Sequence, residues 1–178
     1  AGMTQTLQPL PFPAPEHDHG PCLEGALGRA QKAFEAKGLK LTPLRQAVFQ
    51  EIAGSHRAVG AYEVLERLAA RGDRLAPISV YRAIDALVEV GLVHRFESRN
   101  AFFACHAGHE GRQMVLACEA CGRVAEVGSP DVFAGIDKAA QEASFMPRAA
   151  VVEVWGLCAS CKLAGKTAIT TPAAHGRS

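Results

Sequence analysis

Cys118-Glu119-Ala120-Cys121 and Cys158-Ala159-Ser160-Cys161 are two Cys-x-x-Cys pairs of matched spacing, separated by residues 122–157. Each pair can bring two thiolates to about 2.3 Å from one metal ion, and two pairs complete the closed tetrahedron that structural Zn²⁺ prefers. The pairs lie too far apart for a compact ribbon. A metal there would clip the start of a subdomain to its end, so the insert is expected to be structured. The alternative reading is two unrelated pairs of buried or redox-active cysteines.

Around this stretch the second half reads as strands and one helix. Residues 113–117 and 123–127 have strand character and flank the first pair, residues 130–143 suit a helix opened by Ser129, and residues 149–155 form a β-rich run leading to Cys158. Three strands and a helix cannot bury a large core alone. Two copies completing a sheet across a dimer would solve this.

Upstream, the spacing predicts four helices. Leu27, Ala30 and Phe34 recur at helical intervals before Gly38, and Thr42 then Pro43 open a helix with Leu44, Val48 and Ile52 inward and Gly54 at its end. A third helix buries Ala61, Leu65, Leu68 and Ala69, ending near Gly72. The fourth follows Pro77, with Ser79 near its start, and buries Val80, Ile84, Leu87 and Val88 before Gly91. Residues 92–97 and 101–104, joined by Ser98, Arg99 and Asn100, carry a hairpin signal.

Helices followed by a hairpin describe a winged helix, whose last helix enters the major groove while the wing touches the backbone. Tyr81 and Arg82 fall in the first turn of that helix, where base edges and phosphates are reached; taken alone, such a pair is more often a rim packing aromatic beside a solvated charge. The fold class is therefore α+β, with an N-terminal winged-helix DNA-binding domain and a small α/β dimerisation domain carrying a four-cysteine zinc site. The boundaries are residues 1–22, a flexible Pro- and Gly-rich tail; 23–104, the winged helix; 105–166, the dimerisation domain; and 167–178, a second flexible tail.

Composition sets the outer limits. The chain has 178 residues, 48% of them apolar and 21% charged, as in a water-soluble globular protein. No apolar run approaches the roughly 18 residues of a membrane span, and the cytoplasm is the expected location. Paired Cys-x-x-Cys spacing in such a chain argues for metal rather than a disulfide framework. Residues 23–104 carry 12 Lys/Arg against 9 Asp/Glu, and residues 105–166 carry 6 against 7. This surplus is compatible with nucleic-acid binding by the first half without establishing it.

Two enzymatic readings fail on inspection. Gly165-Lys166-Thr167 resembles the end of a phosphate-binding loop, but Ser160 stands where its first glycine belongs. Zinc deaminases use His-x-Glu and Pro-Cys-x-x-Cys; here Glu110 directly follows His109, and Ala117 precedes Cys118. Four thiolates also leave no open position for a catalytic water. A protein that is not an enzyme, with no small-molecule substrate, is the expectation.

Leu41-Thr42-Pro43-Leu44-Arg45, Ala61-Tyr62, Ser79-Val80-Tyr81-Arg82-Ala83-Ile84, Gly91-Leu92-Val93-His94-Arg95 and Cys118-Glu119-Ala120-Cys121-Gly122 together resemble the ferric uptake regulator family of metal-responsive repressors. The resemblance spans about residues 23–166 with the motifs in order. It implies a homodimer with an N-terminal winged helix, and DNA contacts from Tyr62, Tyr81 and Arg82.

Metal sensing turns on residues outside the four cysteines. His94 on the wing, Cys105 at the hinge, His106 or His109 in the connector and Glu126 on a later strand could converge on a second metal. The resemblance implies that His94, Cys105 and Glu126 match the regulatory site of the zinc uptake branch. The clustered histidines of iron-sensing relatives, ahead of the first cysteine pair, are missing. Thiolate beside imidazole also favours Zn²⁺ over Fe²⁺ or Mn²⁺. His109 is preferred as the further ligand, with His106 its substitute. His17, His19 and Cys22 suggest a tail metal site, opposed by the entropy lost on ordering the segment, and His56 a peripheral one.

The expected function is thus a zinc-responsive repressor with two Zn²⁺ per chain, one structural and one regulatory. It would bind palindromic operator DNA as a dimer and control zinc uptake genes. Zinc would hold the two winged helices near the spacing of about 34–36 Å, or a multiple, that successive major grooves require. The rival is a redox sensor whose cysteine oxidation releases zinc and DNA.

Overall fold

The computed structural model describes residue 12, residues 19–105 and residues 112–167. Two compact units divide them: one holds residues 19–105, the other Phe12 with residues 112–167.

In the first unit α1 (His19–Ala36) opens four residues before the boundary placed at Leu23, and α2 (Pro43–Ala53), α3 (Ala61–Ala70) and α4 (Pro77–Glu89) follow. The start of α2 is set locally. Thr42 Oγ1 accepts from the Arg45 backbone N–H at 3.3 Å, and Pro43 occupies the first turn, where a missing N–H costs nothing. The start of α4 has no side-chain cap; Ala76 precedes Pro77, so Ser79 lies inside the helix. Gly91, at φ +76°, makes the left-handed turn between α4 and the wing that a residue with a Cβ adopts only at a cost.

The core stripes of α3 and α4 each depart from the sequence expectation at one residue, whereas those of α1 and α2 follow it. On α4 the buried set is Val80, Ala83, Ile84, Ala86 and Leu87, while Val88 is 39% exposed. On α3, Ala61, Val64 and Leu68 are buried and Leu65 packs against them, while Ala69 is exposed. Both errors have one cause. At a 3.6-residue period the eighth residue along lies about 90° from the centre of an i, i+3, i+4, i+7 stripe, on its flank. Phe34, Val48, Phe49 and Ile52 complete the core between α1 and α2.

The hairpin consists of β2 (Val93–Phe96) and β3 (Ala101–Ala104), joined by a 3₁₀ turn over Glu97–Arg99. Asn100 closes this turn in the left-handed region at φ 48°, and its Oδ1 accepts from Arg95 at 2.8 Å. A two-residue strand, β1 (Val59–Gly60), pairs with β3 and makes the sheet three-stranded, in the order β1-β3-β2. It is too short to carry a sequence signal.

The second unit contains β4 (Gln113–Cys118), β5 (Val124–Gly128), α5 (Pro130–Glu142), β6 (Val152–Gly156) and α6 (Ala159–Leu163). The sheet order is β5-β4-β6, with β4 antiparallel to β5 and parallel to β6. The strands β4 and β5 fall within one residue of expectation. The last strand begins at Val152 rather than at residue 149. Ser129 precedes α5 without a side-chain cap, and α6 is an element the sequence reading missed. Phe133 is the buried residue of α5; the Arg112 guanidinium lies 4.9 Å from its ring centroid and also pairs with Asp137.

The corrected face of α4 is testable by chemical denaturation. Leu87→Ala removes a fully buried side chain and should cost about 2–5 kcal/mol, whereas Val88→Ala should cost less than about 1 kcal/mol. The reverse ranking would restore the original stripe.

Candidate metal centre and nucleic-acid interface

The register of β4 and β6 brings the two Cys-x-x-Cys pairs together. Cys118 ends β4 opposite Gly156 at the end of β6, and because these strands are parallel both chains leave the sheet at the same end. Beyond β4 the chain folds into a tight knuckle: Cys118 N–H donates to Arg123 O at 2.9 Å and Gly122 N–H to Cys118 O at 2.8 Å. Gly122 sits at φ +72°, so the knuckle needs a residue without a Cβ strain penalty. On the other side Cys158 precedes α6 and Cys161 lies within it, one turn away.

Each of the four Sγ atoms lies within 4.8 Å of the others, and Cys121 and Cys158 are 3.9 Å apart. A tetrahedron with arms of about 2.3 Å has edges of about 3.8 Å, so this sulfur set fits Zn²⁺ in number, chemistry and size. Cys118, Cys158 and Cys161 are buried, Cys121 is half-buried, and Phe12 and Ala120 pack against them. Phe12 belongs to the Pro-rich segment, which offered no periodicity to place it.

The four thiols are not equivalent. Burial pushes the Cys118 thiol up, but backbone N–H groups of Cys158, Cys121 and Ala120 outweigh it and hold the group down at about 6. Burial and the neighbouring thiols push Cys161 up to about 12. Cys158 N–H lies 3.4 Å from Cys118 Sγ, a contact made before any metal is considered. Burial pushes Cys121 up as well, but the side chain and backbone of Arg123 outweigh it and hold that thiol down; a cation is what would stabilise the full set as thiolates.

The wing carries a second pair of ligand types. His94 pairs with Phe103 in the β2–β3 ladder, and Cys105 N–H donates to Leu92 O at 3.0 Å, one step further along. Residues paired across a ladder share a face, as do residues two apart, so His94 and Cys105 are diagonal neighbours on one face. Their ligand atoms lie within 4.8 Å of each other. Glu126 stands on β5 opposite Val115. His106, His109 and His17 lie outside the described residues, as do the side chains of His19 and Cys22; His56 is half-buried in the turn after α2.

The residues expected to meet DNA cluster on α3 and α4. Tyr62, the second residue of α3, is 64% exposed, and its ring meets that of Tyr81 edge-on at 6.5 Å and 83°. Arg82 is exposed and lines a cleft of about 240 Å³ with Thr42, Leu44, Arg45, Ser79 and Ala83. Arg45 stays within reach of the cleft while donating to Lys40 O at 2.6 Å and lying over the Phe34 ring. Two guanidinium groups and two hydroxyls around an open cleft form an anion-favouring surface. Sequence reasoning quoted Arg45 only as part of a motif; nothing local placed it beside Arg82.

Comparison with known proteins points the same way. The family model of the ferric uptake regulator family matches residues 36–154. The zinc uptake regulation protein of Escherichia coli (strain K12) is 33% identical over 137 residues, covering 76% of this chain and 80% of that protein. A solved zinc uptake regulator complexed with zinc and DNA is 31% identical with a TM-score of 0.75, over 80% of this chain and 97% of the other. Holo XcZur is 36% identical with a TM-score of 0.70, over 79% and 99%.

A defective tetrahedron should weaken the unit it closes, because structural zinc contributes its binding energy to folding. Cys158→Ser should therefore lower the melting temperature of the second unit and the zinc content of the purified chain. Metal analysis and thermal melting that match the parent would refute the assignment.

Proposed function

Because this chain belongs to the ferric uptake regulator family, we propose that it is a zinc-responsive transcriptional repressor that binds palindromic operator DNA as a homodimer and controls zinc uptake genes. The observation that carries this reading is the likeness to the zinc uptake regulators, over 80% of the Escherichia coli protein and 97% and 99% of the two solved chains. It is a regulator rather than an enzyme, and it acts in the cytoplasm.

Residues 23–104, extended back to His19 by α1, form the DNA-binding domain, and residues 105–166 form the dimerisation domain. The exposed Val154 on β6, an edge strand of a three-stranded sheet, supports pairing with a second copy. Tyr62, Tyr81 and Arg82 contact the operator; the exposure of Tyr62 and Arg82, and the edge-on contact of the half-buried Tyr81 with Tyr62, support that role. Arg82 suits a guanine edge or a phosphate, whereas the tyrosines supply rigid aromatic surface beside it.

Two Zn²⁺ are held per chain. Cys118, Cys121, Cys158 and Cys161 hold the structural ion, which supplies a cross-link between β4 and α6. The regulatory ion is held by His94, Cys105, Glu126 and His109, with His106 as the substitute for His109. The wing register that sets His94 beside Cys105 supports the first two, and the soft thiolate in the set suits zinc. A metal can regulate only through its differential affinity for two states of the protein, so removing a regulatory ligand should cost metal response without costing the fold.

Two experiments test these assignments. Arg82→Ala should weaken operator binding by about 1–3 kcal/mol at matched salt and leave zinc content unchanged; parent-like affinity would reject the recognition-helix role. Cys105→Ser should remove one zinc per chain and abolish zinc-dependent DNA binding while the dimer survives. His94→Ala and Glu126→Ala should act alike, and a comparison of His106→Ala with His109→Ala identifies the remaining ligand. Full zinc-dependent binding by Cys105→Ser would reject the hinge site as the sensor and move regulation to the histidines of the N-terminal segment or to oxidation of the four-cysteine site.

A further inference from the structure

The four-cysteine centre has a neighbour that tetrahedral coordination does not require. Arg123 lies two residues beyond Cys121, just ahead of β5. Its Nε donates to Cys121 Sγ at 3.2 Å and its Nη2 to Cys158 Sγ at 3.5 Å. One planar guanidinium therefore reaches one sulfur of each Cys-x-x-Cys pair, joining cysteines 37 apart in the chain.

The chemistry of the centre gives this fork a task. Four thiolates around one Zn²⁺ leave two uncompensated negative charges in a mostly buried site, and such charge is costly unless paired. A guanidinium offsets one of them. Its N–H donors also draw electron density from the sulfurs they touch, which lowers the nucleophilicity of those sulfurs. A lysine would supply the charge as a point but not the two-pronged geometry.

We propose that Arg123 is a positioning residue of the four-cysteine centre: it ties the two cysteine pairs together and, with zinc bound, damps the reactivity of Cys121 and Cys158 so that the metal is released slowly. This rests on the reading that the four cysteines hold zinc. It makes the centre a durable cross-link and so sets it apart from a metal site built for rapid exchange or redox release.

The test uses the zinc-loaded full chain and the variants Arg123→Met and Arg123→Lys. Zinc transfer to a chromogenic chelator should be about 10- to 100-fold faster in Arg123→Met, the range typical of lost outer-shell partners. Iodoacetamide labelling, mapped by mass spectrometry, should rise at Cys121 and Cys158 more than at Cys118 and Cys161. In the Co²⁺-substituted protein the sulfur-to-metal charge-transfer band should move to longer wavelength. Arg123→Lys should fall between parent and Met in all three readouts, and it carries the test alone if the Met variant does not fold. Parent-like release, labelling and spectrum in Arg123→Met, or in Arg123→Lys where Met does not fold, would overturn the proposal. A different result separates the underlying reading: if Cys158→Ser leaves the zinc content of the chain unchanged, the four cysteines do not hold zinc at all.

Discussion

Parallel pairing of β4 with β6 is the constraint on which the second half depends. Parallel neighbours cannot be joined by a tight turn; the chain must travel back along the sheet, and here β5 and α5 supply the return path. The consequence is chemical. Two strands that run the same way deliver their following residues to the same sheet end, so two cysteine pairs far apart in sequence arrive side by side. The knuckle through Gly122 and the first turn of α6 then aim four sulfurs at one point.

Closing that point with a metal addresses a deficit in the sheet. Three strands and a helix whose buried residue is Phe133 supply little core, and a cross-link between the exits of β4 and β6 restrains the ends most exposed to fraying. Burial first, and the neighbouring thiols after it, push Cys161 up to about 12, so the four thiols do not all ionise unaided. Cation and backbone N–H donors offset that rise. The site is thereby coupled to the fold: the geometry that collects the sulfurs is the geometry that the metal stabilises.

The first unit solves a different problem, that of presenting polar side chains on a rigid frame. Val80, Ala83, Ile84 and Leu87 lock α4 onto the other helices, which leaves Arg82 on the outer face and Tyr81 at the rim against Tyr62. The short helices derive their stability from this packing, since isolated segments of such length are marginal in water. The wing adds a sheet whose register sets His94 beside Cys105. The outer face of α4 and the wing that bears His94 and Cys105 thus rest on one hydrophobic core.

Local physics was written in the sequence. The Cys-x-x-Cys spacing, the Thr42-Pro43 helix start, the hairpin around Asn100 and the period of the core stripes each act within a few residues, so they could be read without coordinates. The errors arose where local rules give way. Val88 and Ala69 satisfy helical periodicity but stand on the flank of their stripes, and only the neighbouring helices decide how wide a stripe is buried. The strand β1 and helix α6 are too short to show a period; pairing with β3 and the position after β6 create them. Phe12, Arg45 and Arg123 take their roles from residues distant in the chain. The sequence by itself determined which chemistry this protein carries, whereas the tertiary structure alone decided which side chains meet, because strand pairing and core packing act between segments that no local pattern connects.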